Sequence, residues 1–429
     1  MTDPAKTSES IEEERSHVPL LKQLGPGFIT GAADDDPSGI ATYSQAGAQY
    51  GYGLVWSVLF TTPLMIGIQL VSARIGRVTG HGLAANIRER FPAPIVYGIV
   101  GLLLFANALN IAADLGAMAD ALVLVVGGNS TVYLVMFALV SLTLQVFVPF
   151  PRYAPILKLL TLALFAYVAT VFLVHTPLEA LAETLVPPIT RDKDYVAMLV
   201  AVLGTTISPY LFFWQASQEV EEQRATPGHH PLKQAPEQAR RHLRRIRIDT
   251  YVGMIFSNGI ALCIMLTTAA TLHAAGVTTI DSAAQAAQAL RPLAGEAAFT
   301  LFAVGIIGTG LLAVPILAGS AAYAIAETLR WPIGLGLSLA EARGFYSMLT
   351  VATVLGAVID LSGIDSIKAL VWAAIVNGVV SVPIMVVLMI LVADARTMGT
   401  FVARTRLKRL GWAATGVMAM AVTAMFALM

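Results

Sequence analysis

Three consecutive aspartates, Asp34, Asp35 and Asp36, run straight into Pro37, Ser38 and Gly39 in the middle of an otherwise apolar stretch from Leu24 to Tyr50. Carboxylates are hard oxygen ligands suited to cations such as Mg²⁺, Mn²⁺ or Ca²⁺. They cannot face lipid, because each costs about 2.5 kcal/mol or more at the centre of a bilayer-spanning helix. A second unusual stretch lies between Val196 and Gln218, where Gly204, Thr205, Thr206, Ser208 and Pro209 gather near the middle. Proline lacks a backbone donor and glycine tolerates unusual torsions, so Pro37, Gly39, Gly204 and Pro209 predict a break in each helix. A third group, Asn107, Asn110 and Asp114, is spaced i, i+3, i+7 and shares one helix face, while Asp120 lies off it. An aspartate at membrane depth points to function by default. The structural alternative for this group is a hydrogen-bond network that holds its helix in a bundle.

The elements that must carry these residues are transmembrane helices. The chain is 56% hydrophobic and 13% charged, with a mean hydropathy of +0.72, whereas soluble domains carry roughly 25% charge. Residues 53–73, 131–148, 195–218, 250–272, 297–326, 369–393 and 410–429 contain no charged side chain. With 95–125, 155–175, 343–361 and the aspartate-bearing 24–50, they make eleven spans, each near the roughly 20 residues that cross hydrocarbon as a helix. Arginine and lysine concentrate in alternate connections, most strongly in RRHLRRIR at 240–247. The positive-inside rule then places the amino terminus in the cytoplasm and the carboxyl terminus outside. The tail 1–23 is polar and acidic, unlike a cleaved signal peptide. Lysine plus arginine equals aspartate plus glutamate at 27 each, which gives no sign of a nucleic-acid partner. The single cysteine, Cys263, excludes an intramolecular disulfide and a cysteine metal cluster.

Irregular backbone at membrane depth survives only where it lines a protein cavity. Two breaks five spans apart point to a transporter with inverted repeats and a site near the bilayer midplane. The predicted organisation is an all-α membrane protein: a first five-helix repeat at 24–175, a second at 195–393 with a basic cytoplasmic loop at 219–247, and an extra eleventh helix at 410–429.

GPGF at 25–28, the DP-containing break and GTTISPY at 204–210 resemble the NRAMP family of divalent metal transporters, and the eleven-span layout agrees over nearly the whole chain. The resemblance implies a leucine-transporter-like fold, alternating access, and metal held between the unwound first and sixth helices. Carried across residue by residue, it implies Asp36 and the Thr205 carbonyl as ligands, with Ser208 where the family has a methionine. Gly39 stands in place of a ligating asparagine, and Tyr210 in place of a histidine. Asp34 and Asp35 are additional to the usual pattern and are expected either to ligate or to form a cation-attracting vestibule. Asp114 falls where the family tends to carry a glutamate on its proton route, Asn258 matches a family asparagine, and Asn377 lies close to a glutamine that approaches the metal.

These departures exchange a soft thioether for hard oxygens, and none of the seven histidines falls in the middle of a span. The sequence resembles a divergent, magnesium- or manganese-type branch of the family. The expected function is inward transport of Mg²⁺ or Mn²⁺ across the cytoplasmic membrane, driven by voltage, with no permanently bound cofactor and no obligatory protein partner. Tyr210 does not titrate near neutral pH, and no arginine occurs between Gly344 and Ile359, so proton-coupled Mn²⁺/Fe²⁺ symport is the lesser expectation. An organic-solute transporter on the same scaffold is the next rival, disfavoured because three aspartates repel a carboxylate. A prenyl-transfer-type enzyme would need a second acidic motif, for which the loops offer only Glu219, Glu221 and Glu222.

Overall fold

The computed structural model describes residues 25–148, 152, 159, 161–174, 187–188, 190–363 and 365–429. The tail 1–23 and much of the predicted fifth span with its flanking connections lie outside the described residues. In chain order the helices are α1 (Pro26–Asp34), α2 (Pro37–Tyr50), α3 (Val55–Thr79), α4 (Leu83–Arg90), α5 (Ala93–Val126), α6 (Ser130–Phe147) and α7 (Phe165–Leu173). There follow α8 (Lys193–Thr206), α9 (Pro209–Ala225), α10 (Ala239–Thr268), α11 (Ala283–Gln288), α12 (Ala298–Leu329), α13 (Arg343–Asp360), α14 (Ser366–Ala393) and α15 (Thr405–Leu428). Among the described residues there is no strand.

Among the described residues, eight stretches are long and apolar enough to cross a membrane, by length and composition. One of them, Pro37–Thr79, joins the second half of the first predicted span to the second span. The half-helix α1, the described part of the fifth span around α7, and the 18-residue α13 supply the remainder of the eleven-span layout.

Both interruptions have the same local cause. A residue before proline is pushed out of the helical region towards extended torsions. Asp36 before Pro37 has φ −70° and ψ 171°, and Ser208 before Pro209 has φ −83° and ψ 131°. Each proline then occupies the first turn of the next half-helix, where its missing donor costs nothing. The second break therefore falls at Ile207–Ser208, and Gly204 sits inside α8 rather than at the break. Its lack of a side chain serves packing: a Cβ there would collide with the Ala374 carbonyl and lie 2.5 Å from the Gly378 amide nitrogen of α14.

The broken helices form the centre of the bundle. Half-helix α1 packs on α10, α2 on α10 and α14, α8 on α14, and α9 on α3 and α12, while α5 is enclosed by α12, α13 and α14. The outermost faces carry apolar side chains such as Phe60, Phe105, Phe147, Phe172 and Phe426, which are more than half exposed, as expected for a surface that meets lipid.

Candidate cation site at the two helix breaks

Asp36 stands at the start of α2 as its N-cap. Its Oδ1 accepts hydrogen bonds from the Gly39 amide and the Ser38 hydroxyl, each at 2.7 Å, which satisfies amide donors that the first turn cannot pair internally. Its Oδ2 lies 3.3 Å from the Tyr210 hydroxyl of α9, which also donates to the Ala33 carbonyl at 3.1 Å. Tyr210 thus ties the second half of one broken helix to the break of the other.

On the opposing strand of irregular backbone, the Ser208 hydroxyl turns back to the end of α8, donating to the Gly204 and Thr205 carbonyls at 2.9 and 2.8 Å. The Thr205 carbonyl therefore has one hydrogen bond already and one lone pair to spare. A Cβ on Gly39 would lie 3.2 Å from both the Thr205 hydroxyl and the Asp34 carbonyl. Gly39 thus lies close against the end of α8. A further tie joins the half-helices: the Tyr43 and Thr206 hydroxyls are 3.0 Å apart.

The three aspartates are all buried, at 1%, 2% and 2% exposure, yet they point to different partners. Asp34 and Asp35 turn away from Gly39 towards α10, where the Ser257 hydroxyl lies 2.6 Å from Asp34 Oδ2 and 3.3 Å from Asp35 Oδ1. Among the described residues, Asp34 Oδ1 and Asp35 Oδ2 meet no hydrogen-bond partner. Asp114 of α5 is fully buried, with the Ser38 amide beside it, and it lies within electrostatic reach of Asp36.

The remaining predicted polar residues divide. The Asn110 amide donates to Asn377 Oδ1 at 3.0 Å, bringing these two together between α5 and α14, with Asn110 Oδ1 and Asn377 Nδ2 left open. Asn107 donates instead to the Leu317 carbonyl and the Ser320 hydroxyl of α12, at 2.8 and 2.7 Å, and acts as an interhelical tie. Asn258 binds Thr62 and the Met65 sulfur of α3 in the same way.

Ser257 was not singled out by the sequence. The signal available was its place beside Asn258 in a span without charge. Among the described residues no three His, Cys, Asp or Glu side chains gather closely enough to form a metal cage by themselves. A cation at Asp36 would draw on neutral oxygens from Thr205, Ser208 and Ser38, and on water.

On one side of the break a narrow crevice runs against α2, lined by Ile40, Ala41 and Ser44 together with Ala117, Asp120 and Phe302. On the other side, that of the basic connections, Arg245 of α10 bridges Glu219 and Glu222 of α9 at 2.6 and 2.5 Å.

Comparison with known proteins agrees with this architecture. The chain is 29% identical over 397 residues to the divalent metal cation transporter MntH of Pectobacterium carotovorum, covering 91% of this chain and 90% of that one. It is 28% identical to the MntH of Klebsiella pneumoniae, covering 96% of each. In structure it is similar to the manganese transporter of Eremococcus coleocola, solved in complex with an aromatic bis-isothiourea compound, with a TM-score of 0.71 and 17% identity over 94% of this chain and 86% of that one. The nucleobase-cation-symport-1 family transporter Mhp1 in a closed conformation shares the fold more distantly, with a TM-score of 0.55 and 13% identity over 94% and 92% of the two chains. The fold is accordingly the leucine-transporter-like arrangement that the resemblance implies. The characteristic sequence pattern of natural resistance-associated macrophage protein-like proteins matches residues 27–428, and the chain belongs to that family, the Nramp family.

Proposed function

We propose that this protein carries a hydrated hard divalent cation, Mg²⁺ or Mn²⁺, inward across the cytoplasmic membrane by alternating access, with Asp36 as the principal ligand. The observation that carries this reading is the position of Asp36 at the meeting of the two helix breaks, where Ser38, Thr205, Ser208 and Tyr210 offer only oxygen. Hard cations take such donors, and Mg²⁺ in particular keeps several of its waters and binds through one or two carboxylates. The names of the relatives, divalent metal cation transporter and manganese transporter, support the same cargo class. The Thr205 carbonyl and Ser208 complete the near shell. Asn377 and Asp114 stand behind it, and Asp34 and Asp35 supply further carboxyl oxygens towards α10.

The membrane potential is sufficient as a driving force. A divalent cation entering an inside-negative cell gains about 4.6 kcal/mol per 100 mV, from about 2.3 for each charge. At about 1.36 kcal/mol per decade, this supports a gradient of about 2,000-fold. Proton coupling is the second reading, favoured by one observation: the buried carboxyl of Asp114 lies within electrostatic reach of Asp36.

Uptake into proteoliposomes under a fixed inside-negative potential, comparing Mg²⁺, Mn²⁺, Ca²⁺ and Zn²⁺ with an internal pH dye, separates these readings. Mg²⁺ or Mn²⁺ entry without acidification supports the uniporter, and acidification in step with metal restores the symporter through Asp114. No metal flux rejects both. Asp36→Ala should abolish uptake with the protein still in the membrane.

A further inference from the structure

The amino-terminal half-helix α1 starts at Gly25, followed by Pro26, and among the described residues no side chain close in sequence accepts from its first turn. Helix starts leave amide donors unpaired, and these need an acceptor from somewhere. Asp249 of α10, more than 220 residues away in sequence, supplies it. Asp249 Oδ1 accepts from the Gly25 and Phe28 amides at 2.9 and 3.0 Å, and Oδ2 from the Gly27 amide at 2.7 Å. Below this cap the two helices touch backbone to backbone. A Cβ on Gly31 would collide with the Gly253 carbonyl, and one on Gly253 with the Gly27 carbonyl. One turn from Asp249, Arg245 holds α9 through Glu219 and Glu222. A Cβ on Gly25 would lie 2.9 Å from that same guanidinium.

We infer that Asp249 is a positioning residue for transport: it latches α1 onto α10, closes the basic-loop side of the bundle, and holds Asp34, Asp35 and Asp36 in register with α9. The chemistry suits a reversible latch. Three amides on one carboxylate are charge-assisted bonds, while Gly25 is partly exposed, so water can hydrate the released amides once α1 departs. The glycine contact has no interlocking side chains to unpick. Part of the RRHLRRIRID segment therefore does more than set topology, because Arg245 and Asp249 grip the two mobile half-helices from one helix face, spaced i, i+4.

The test uses the full chain with Cys263→Ser and a reporter Thr30→Cys, since Thr30 lies on α1 and is fully buried. In Asp249→Ala, a membrane-impermeant maleimide applied from the basic-loop side should label the reporter at least about tenfold faster, the shift expected from losing one net hydrogen bond to a charged group. Asp249→Asn, which keeps one oxygen acceptor, should fall between the two. The apparent KM for external Mn²⁺ should rise with the labelling rate, because fewer molecules face outward. Equal labelling in folded Asp249→Ala and its parent overturns the latch.

Should neither variant fold, the parent protein decides. The Gly27 and Phe28 amides should exchange hydrogen with the same opening rate that governs Thr30→Cys labelling, and exchange independent of labelling overturns the inference. The uptake arm rests on the transport reading above. Labelling and exchange do not, so a protein that moves no metal would still test the latch.

Discussion

The Tyr210 hydroxyl shares its proton between the Ala33 carbonyl at 3.1 Å and Asp36 Oδ2 at 3.3 Å, so one phenol joins both broken helices at the proposed ligand. Groups that hydrogen-bond a ligating carboxylate orient it, and their loss lowers metal affinity by about 10- to 100-fold. Tyr210→Phe should therefore raise the KM for the transported metal by about tenfold, with the protein still folded. Initial uptake rates across a metal titration check this, and an unchanged KM would remove Tyr210 from the ligand's support.

Ser208 puts a hydroxyl where a soft ligand would favour transition metals. Ser208→Met should shift preference from Mg²⁺ towards Mn²⁺ and Cd²⁺. The measurement is the ratio of Cd²⁺ to Mg²⁺ uptake in the same vesicles. No change in that ratio would mean that the side chain at this position does not meet the cargo.

Among the described residues, the Ser257 hydroxyl is the one hydrogen-bond donor to the buried carboxyls of Asp34 and Asp35. Ser257→Ala leaves them without it and should cost about 1–3 kcal/mol of stability. Thermal unfolding in detergent should show a lowered midpoint, and Ser257→Thr, which keeps the hydroxyl, should recover it.

Gly204 and Gly378 bring α8 and α14 into backbone contact. Gly204→Ala must push the two helices apart, at a cost of about 1–3 kcal/mol for overpacking. Gly98→Ala is the control, because nothing lies within 4 Å of its added Cβ. Parallel unfolding of the two variants should show destabilisation in the first alone.

Part of this was legible in the chain because it is local. Asp36 and Ser208 each precede a proline, and the clash between a proline ring and the preceding residue acts whatever the rest of the protein does. The spans were legible because lipid excludes charge over about 20 residues at a time. The shared face of Asn110 and Asp114 followed from helix periodicity alone.

The direction of each polar side chain was not legible. Asp34, Asp35 and Asp36 are chemically identical neighbours, yet the first two turn to Ser257 and the third caps α2 and meets Tyr210. Gly204 reads as a helix breaker but serves as a packing surface, because Gly378 happens to face it. Asn107 and Asn110 share a face, yet one ties α5 to α12 and the other reaches Asn377. These helices are apolar nearly all round, so no amphipathic stripe marks which face meets which neighbour. The sequence by itself determined where the chain crosses lipid and where two helices must break, since sterics and solvation act over a few residues. Only the tertiary structure decided which carboxylate caps which half-helix, including Asp249 on α1, because partners more than 220 residues apart meet only when helices pack.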